Sequence, residues 1–496
     1  MGRRETSFLL SMLLVAACTT NPVSGRREVV LMSEEEEQEI GREAAEQVQI
    51  QMGLLPEDPL SAYVQEIGER LARLSPRAGI SYQFRIVNLP EVNAFALPGG
   101  YVYVSRGLLA LANSEDELAN VMAHELAHVA ARHAAQRHSR VVGSGIVSAL
   151  GMIAAGAFGG SDAALIAGQL GGAAGIGMVA AYSRDQEREA DRVGQDLAAR
   201  AGWDPAAMPS FLESLARSTR LQHGPGRGRG FFDTHPTTPE RVGRTKSRAR
   251  MLAQGPALPI APTRREYLAR IGGVLLGEDP AAGILEENRF RHPDLDLFLR
   301  FPSGWATRNM GPAVESVSKS QAASFSLELQ GSDSEPRRAA DAFTEANRIQ
   351  VRSFGKRRVN GLRAYRVIGS GGTRKGFQGL HITWIAQRGR IFRLTGTTSM
   401  DRLAYYQPLF DKTAQSFRPL TEEELAAFET RRLEIVVAEP GETIAELSQR
   451  TGNGWAIAET AVMNELRQTA KLRAGQRIKI AIVEPYLPGS KHEHGS

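Results

Sequence analysis

Val121-Met122-Ala123-His124-Glu125-Leu126-Ala127-His128-Val129 decides how the rest of this chain is read. On an α-helix each residue turns about 100°, so His124 and His128 lie about 40° apart on one face, roughly one turn along the axis. Two imidazole nitrogens at that separation can hold one tetrahedral metal ion. Glu125 lies one step round and reaches a water at the metal rather than the metal itself. That is the place of a general base in zinc-assisted hydrolysis. Leu118, Val121, Met122, Leu126 and Val129 recur at helical spacing. No Gly or Pro interrupts the stretch from Val121 to His138, which predicts one helix throughout. Ser114 followed by Glu117 predicts a capping box at its start. On such a helix His133 points to the opposite side and His138 lies about 20 Å along, so neither completes the site. The structural alternative is a pair of surface histidines on a polar face.

A third ligand comes from Tyr182-Ser183-Arg184-Asp185-Gln186-Glu187-Arg188-Glu189-Ala190-Asp191, which opens a second amphipathic helix. Glu187 and Asp191 are one turn apart on one face. Glu187 is placed to bind the metal. Asp191 is placed to accept a hydrogen bond from the free N–H of a ligand histidine. The alternative here is a charged face turned to solvent.

His124-Glu125-x-x-His128 followed by Glu187-x-x-Ala190-Asp191 resembles the membrane-associated gluzincin zinc metallopeptidases. That family includes the CAAX prenyl endopeptidases and the bacterial β-barrel assembly-enhancing protease. Asn93-Ala94-Phe95-Ala96-Leu97-Pro98-Gly99-Gly100, Ser183-Arg184-x-x-Glu187, and Thr234-His235-Pro236 with Pro239-Glu240-Arg241 resemble the bacterial branch. The resemblance spans residues 20–265. It implies a mainly helical zincin-type domain with a small sheet. It further implies one Zn2+ per chain on His124, His128 and Glu187, with Glu125 as catalytic base and Asp191 behind the ligands. By the same resemblance His235 approaches the metal as a fourth ligand or regulator, or aids the transition state; otherwise it is a turn residue. The implied substrates are misfolded or misassembled envelope proteins.

The chain has 496 residues, room for about three domains. Its net charge of +5 and pI near 9.3 come without a strong basic run. That suits mild attraction to anionic envelope surfaces and excludes a dedicated nucleic-acid site. Residues 1–17 read as a signal peptide: Arg3 and Arg4, then an apolar run from Phe8 to Ala17. Val15-Ala16-Ala17-Cys18 resembles a bacterial lipobox, and Cys18 is the one cysteine in the chain, so no disulfide framework exists. Lipidation of Cys18 would tie the protein to a membrane and face it to the periplasm. Thr19 after the cysteine favours the outer membrane, by resemblance to other lipoproteins. The alternatives are an uncleaved anchor and an ordinary secretory signal.

Residues 18–32 form the lipidated N-terminal linker and residues 33–252 the metallopeptidase domain. In it, Ser33–Gln51, Pro59–Leu74 and Trp203–Leu221 read as helices. Tyr82–Val87 and Ala94–Val104 read as strands, with Pro98-Gly99-Gly100 as a turn. Asn93, Ala94 and Phe95 would be a substrate-binding edge strand or a purely structural one. Val141–Ala181, apolar and Gly-rich, reads as a helical hairpin that packs on the site or dips into a bilayer. Gln222–Gly230 reads as a mobile loop before His235.

Residues 253–288 read as a linker. Residues 289–420 read as an α+β sandwich of unassigned role, with helices over Ala339–Phe354 and Met400–Ser416. Residues 432–482 resemble a LysM module, a small βααβ unit that binds N-acetylglucosamine polymers such as peptidoglycan. A spacer that kept the fold is the alternative. Residues 483–496 read as a disordered tail. The whole is an α+β multidomain chain, read as a zinc endopeptidase of the bacterial envelope acting on protein or peptide substrates. The rival readings are an envelope chaperone or scaffold that binds peptide and peptidoglycan, and a zinc hydrolase of wall peptides.

Overall fold

The computed structural model describes residues 18–56, 58–139, 182–221, 231, 235, 238–331, 335–373 and 376–489. The expected signal segment 1–17, the apolar stretch 141–181 and the stretch 222–230 lie outside the described residues, as does the end of the tail, 490–496. Among the described residues no helix is long and apolar enough to cross a membrane.

The first half runs α1 (Glu34–Met52), α2 (Pro59–Ala72), β1 (Gln83–Val87), β2 (Ala94–Leu97), β3 (Tyr101–Ser105), α3 (Arg106–Leu111) and α4 (Glu115–Ala130). After the undescribed stretch come α5 (Arg184–Arg200), α6 (Ala207–Leu221), α7 (Pro239–Ala249) and α8 (Arg264–Ile271). α4 is the central element. Ala119, Ala123, Ala127 and Ala130 are small enough to let neighbours approach. Leu118, Val121, Met122 and Leu126 fill the core beside them. Ser114 caps the helix, its hydroxyl accepting the Glu117 N–H at 3.2 Å. Glu117 reaches one residue further back than a capping box requires, and accepts the Asn113 N–H at 2.7 Å.

The helix does not continue to His138, as the sequence predicts. It ends at Ala130, Arg132 takes a left-handed φ of 57°, and a new helical segment begins at residue 133. The break comes from distant contacts. Arg132 Nε donates to Glu37 Oε2 at 2.7 Å, and Nη2 donates to the Met32 carbonyl at 2.9 Å. A left-handed residue costs roughly 1–2 kcal/mol, which two buried charge-assisted hydrogen bonds offset.

The small sheet has the order β1-β3-β2, with β1 parallel and β2 antiparallel to β3. The expected turn at Pro98–Gly100 is present, with Gly99 at φ 77°. β2 is an edge strand packed beside α4, and its four side chains are buried. On the other flank α5 lies close against α4. A Cβ on Gly194 would sit 2.9 Å from His124 Cα, so only glycine permits this approach.

The expected linker is ordered. Tyr267, Leu268 and Ile271 of α8 belong to the first core, and β4 (Leu275–Leu276) joins the C-terminal sheet. A three-stranded sheet follows, formed by Ile284–Glu286, Arg289–His292 and Leu297–Arg300. The next domain contains β5 (Ala306–Asn309), β6 (Ala313–Val317), β7 (Ala323–Gly331), α9 (Pro336–Ala346), β8 (Gln350–Val359), β9 (Leu362–Thr373), β10 (Gly376–Gln387), β11 (Arg390–Thr398) and α10 (Leu403–Gln415). Its seven strands are antiparallel in the order β5-β6-β7-β11-β10-β9-β8. α9 covers one face and α10 the other. The helix expected over Ala339–Phe354 stops at Ala346. Arg348 is left-handed at φ 49°, and the rest of that stretch is strand β8.

The C-terminal unit is β12 (Glu429–Val437), α11 (Ile444–Thr451), α12 (Ile457–Met463) and β13 (Arg477–Pro485), with β12 and β13 antiparallel. The chain stays ordered past the expected boundary at 482: β13 runs to Pro485 and Tyr486 is buried. This unit is not set apart from the first half. Leu433, Trp455, Val462, Met463 and Ala481 pack into the first core. The ammonium of Lys479 is buried against α3, donating to the carbonyls of Ala110, Leu111 and Ala112 at 2.8, 3.0 and 2.9 Å.

Candidate metal centre

α4 brings His124 and His128 to one spot, their Nε2 atoms 3.1 Å apart. α5 brings Glu187, with Oε1 3.4 Å from His128 Nε2 and Oε2 3.6 Å from His124 Nε2. His235 joins them, its Nδ1 2.8 Å from Glu187 Oε1 and 3.3 Å from His124 Nε2. One donor atom from each of the four lies within 4.8 Å of every other, and all four residues are buried. Metal–nitrogen bonds of about 2.1 Å set tetrahedral ligands about 3.4 Å apart. The observed spacings are those of a cage for one ion. Unpartnered atoms say the same. His235 Nε2 and both oxygens of Glu125 have no hydrogen-bond partner. Glu187 Oε2, although 2.9 Å from Arg241 Nη1, receives no aligned hydrogen bond. Buried polar atoms left in this condition are costly without a further partner, and a zinc ion fits the donor set.

Glu125 stands beside the cage, its Oε1 3.5 Å from His235 Nε2. Burial raises its pKa, against the pull of His235 and His124. Asp191 Oδ1 lies 3.1 Å from His124 Nδ1, on the side of the ring away from the cage. Burial disfavours a charged His124, but hydrogen bonds to Asp191 and Glu187 outweigh it and hold the pKa at about 9. Burial pushes His128 well below its usual range. Glu187 is held low, burial notwithstanding, by His235, His124 and His128.

Three residues near the centre escaped the sequence reading. The break at Arg132 returns His133 to the site, with Nδ1 2.8 Å from His128 Nδ1 and Nε2 3.1 Å from Glu189 Oε2. Glu189 accepts from His133 Nε2–H, which leaves His133 Nδ1 to accept from His128 Nδ1–H. That arrangement directs the His128 Nε2 lone pair into the cage. Arg241, on α7, pairs with Asp191 at 2.8 Å and with Glu187. Tyr182 stacks on His128, ring centroids 3.8 Å apart. Arg241 stands in a quoted motif, but no local pattern gave it a partner. The edge-strand residues Asn93, Ala94 and Phe95 are buried, and Asn93 Oδ1 has no partner. The Val92 carbonyl accepts from Phe231 N–H at 3.1 Å, and Phe231 stacks on His235 with centroids 4.5 Å apart. Cys18 lies in a short strand, Cys18–Thr20, paired with Arg27–Val29, far along the chain from these residues.

Residues 59–249 match peptidase family M48. The β-barrel assembly-enhancing protease of Yersinia pestis is 33% identical over 207 residues, covering 40% of this chain and 41% of that one. Its counterpart in Escherichia coli strain K12 is 33% identical over 204 residues, 39% of this chain and 40% of the other. The mitochondrial metalloendopeptidase OMA1 of Schizosaccharomyces pombe is 31% identical over 225 residues, 45% of this chain and 63% of the other. The chain therefore spans about two fifths of the length of the bacterial relatives.

Proposed function

We propose, from the match of residues 59–249 to peptidase family M48, a zinc-dependent endopeptidase of the bacterial cell envelope. The observation that carries the reading is the four-donor cage with an unbonded, buried carboxylate beside it. His124, His128 and Glu187 would hold one zinc, with Asp191 and His133 fixing the two rings. Zinc held there would act as a Lewis acid, polarising a peptide carbonyl and lowering the pKa of water toward about 7. Glu125 takes that proton and delivers it to the leaving amine. Its raised pKa brings it nearer the pH at which it must both accept and donate. Asn93, Ala94 and Phe95 would align an extended substrate along the edge of β2.

His235 restrains the enzyme in this reading. Its Nδ1 is 2.8 Å from Glu187 Oε1, among the other donors, and the rings of Phe231 and Tyr182 lie against it, which supports a role as a fourth ligand that would displace the attacking water. Cleavage then requires the segment bearing His235 to withdraw. His235→Ala should keep zinc and raise basal cleavage; lower turnover with zinc retained would give it a transition-state role instead.

The substrates we assign are misfolded or misassembled envelope proteins, in keeping with relatives named β-barrel assembly-enhancing proteases. Lipidated Cys18 would hold the protein at the outer membrane, facing the periplasm. The βααβ unit at 429–485 would engage peptidoglycan as a LysM-like module. The deciding experiment incubates purified full chain with an unfolded outer-membrane β-barrel protein, with and without a zinc chelator. Cleavage abolished by chelator and restored by zinc is the expected result. Binding without cleavage by the zinc-loaded chain would make it a scaffold.

A further inference from the structure

The second domain carries a feature that metal chemistry leaves unused. Residues 346–400 contain twelve arginines and lysines and no aspartate or glutamate, in a chain whose net charge is only +5. No long run announces this: Lys356-Arg357-Arg358 is the longest, and the other cations are scattered through the stretch. Elsewhere in the stretch three of them are partnered: Arg366 with Asp411, Arg393 with Glu328 and, in the turn after β10, Arg388 with Asp296. On β8 they are not. Arg352, Lys356, Arg357 and Arg358 are exposed and have no carboxylate within ion-pair distance among the described residues.

β8 is also the outermost strand of its sheet, paired with β9 alone. Asn360 and Gly361, at φ 46° and 82°, form the two-residue turn that closes the β8–β9 hairpin. In such a hairpin the flanking pair, Val359 and Leu362, is hydrogen-bonded, and every second pair beyond it is not. The main-chain N–H and C=O groups of Phe354, Lys356 and Arg358 therefore point away from β9. Side chains of these three residues share one face. On that face Phe354 stacks on Tyr365, centroids 6.3 Å apart, yet remains 69% exposed. Arg357 projects to the opposite face.

We propose that β8 is a docking edge for an acidic polypeptide segment, which adds to the sheet in extended form as an eighth strand. Residues directly opposite on neighbouring strands share a face. The incoming strand would set acidic side chains at two alternate positions across Lys356 and Arg358. Its next residue on that face, across Phe354, would be apolar. A third acidic residue on the other face would meet Arg357. The register shift between Val351 and Ser353 confines pairing to the stretch from Ser353 to Val359.

Charged residues also serve to keep sheet edges unpaired. A protected edge, however, does not display Phe354 and Val351 to solvent, at 69% and 43% exposure. An anionic lipid surface would be met by cations lining one plane, whereas these straddle both faces of the strand. A linear partner fits that distribution. This inference is independent of the proposed peptidase activity.

The test uses the full chain as the Glu125→Gln variant, so that the probe stays intact. The probe is a fluorescent nine-residue peptide with glutamate at alternate positions followed by valine. Two controls share its composition: one with the glutamates made adjacent, one N-methylated at alternate amides. Reversing Lys356→Glu and Arg358→Glu together should weaken binding roughly tenfold or more. N-methylation should do the same by removing main-chain hydrogen bonds. Hydrogen exchange at the Phe354, Lys356 and Arg358 amides should slow when the peptide binds. Lys356→Gln with Arg358→Gln, which keeps a neutral edge, should give an intermediate loss. Equal binding of the N-methylated peptide would reduce the surface to charge attraction and overturn the proposal. So would binding to phosphatidylglycerol vesicles, lost in the double reversal, with no binding of peptide.

Discussion

Two clusters of buried charge sit on the same helix and differ in one respect. At the metal centre, Glu125, Glu187 and His235 leave polar atoms without a hydrogen-bond partner. Two turns earlier, the charged groups around Glu117 are all partnered. Lys479 gives its three N–H groups to three carbonyls of α3 and its C-cap. Arg264 donates to the Arg477 carbonyl at 2.6 Å and to Asn113 Oδ1 at 2.9 Å. Glu465 accepts from Ser210 and Ser214, each at 2.9 Å, and shares a hydrogen bond with Glu117. A buried polar group without a partner costs about 1–3 kcal/mol. Saturation therefore marks a joint between two parts of one chain. Deficit marks a place kept for something that arrives later.

The comparison breaks first at Glu125. If its empty carboxylate is there to move protons, Glu125→Gln should lower cleavage by roughly 10²–10⁴-fold. Zinc content, read by metal analysis, should stay at one per chain. Loss of zinc in that variant would make Glu125 part of the cage instead. The second cluster is tested at Lys479. Lys479→Met keeps the stem but takes away the side-chain partner of the Ala110 and Ala112 carbonyls, while Leu111 keeps Asn113 Nδ2 at 3.0 Å; the loss should cost about 2 kcal/mol or more. Urea unfolding at fixed pH measures this, and an unchanged midpoint would mean that the C-terminal unit does not dock through Lys479.

A smaller effect sharpens the first cluster. His133→Phe keeps an aromatic ring and removes both nitrogens, freeing His128 to turn. Zinc affinity should fall by about 10–100-fold, as for Asp191→Asn behind His124. Competition with a chromophoric chelator would give both affinities. If His133→Phe binds zinc as tightly as wild type, packing alone orients His128.

What the sequence made legible was local. His124, Glu125 and His128 needed only helical spacing, and Glu187 with Asp191 needed only one more turn of helix. His133 was lost because a contact from Glu37, far back in the chain, breaks α4 at Arg132. Arg241 and Lys479 were lost for the same reason, since each partner lies on another element. The stretch from Ala339 to Phe354 misled differently. Its first half has helical periodicity, and nothing before Arg348 signals that the chain will turn left-handed and enter an edge strand. Residues 253–288 read as a linker from their prolines, yet Tyr267, Leu268 and Ile271 seal the first core. Composition marks flexibility in an isolated chain and is silent about what packs on it.

The last prediction concerns Glu117, and its sign separates two states of the joint. Burial, then the charge of Glu465, pushes the Glu117 pKa up from 4.5 to about 8. Folded protein therefore keeps a proton that the unfolded chain has lost across that window. The stability this confers is complete below the unfolded value and is lost as pH rises through about 8. One proton gives a slope of at most about 1.4 kcal/mol per pH unit. Burial also lowers the pKa of Lys479. Three carbonyl acceptors nevertheless require three N–H groups, so the amine stays an ammonium through this window and adds no slope of its own. Urea unfolding of wild type between pH 5 and pH 8, roughly the span of the shift, should show declining stability, and Glu117→Gln should flatten the decline. If Lys479 were neutral when folded, the unfolded chain would bind the extra proton there and the two slopes would cancel. A flat wild-type profile would thus mean that the joint is held by neutral hydrogen bonds. A falling one, flattened by Glu117→Gln, would mean that a charged lysine is buried at the base of the metal helix.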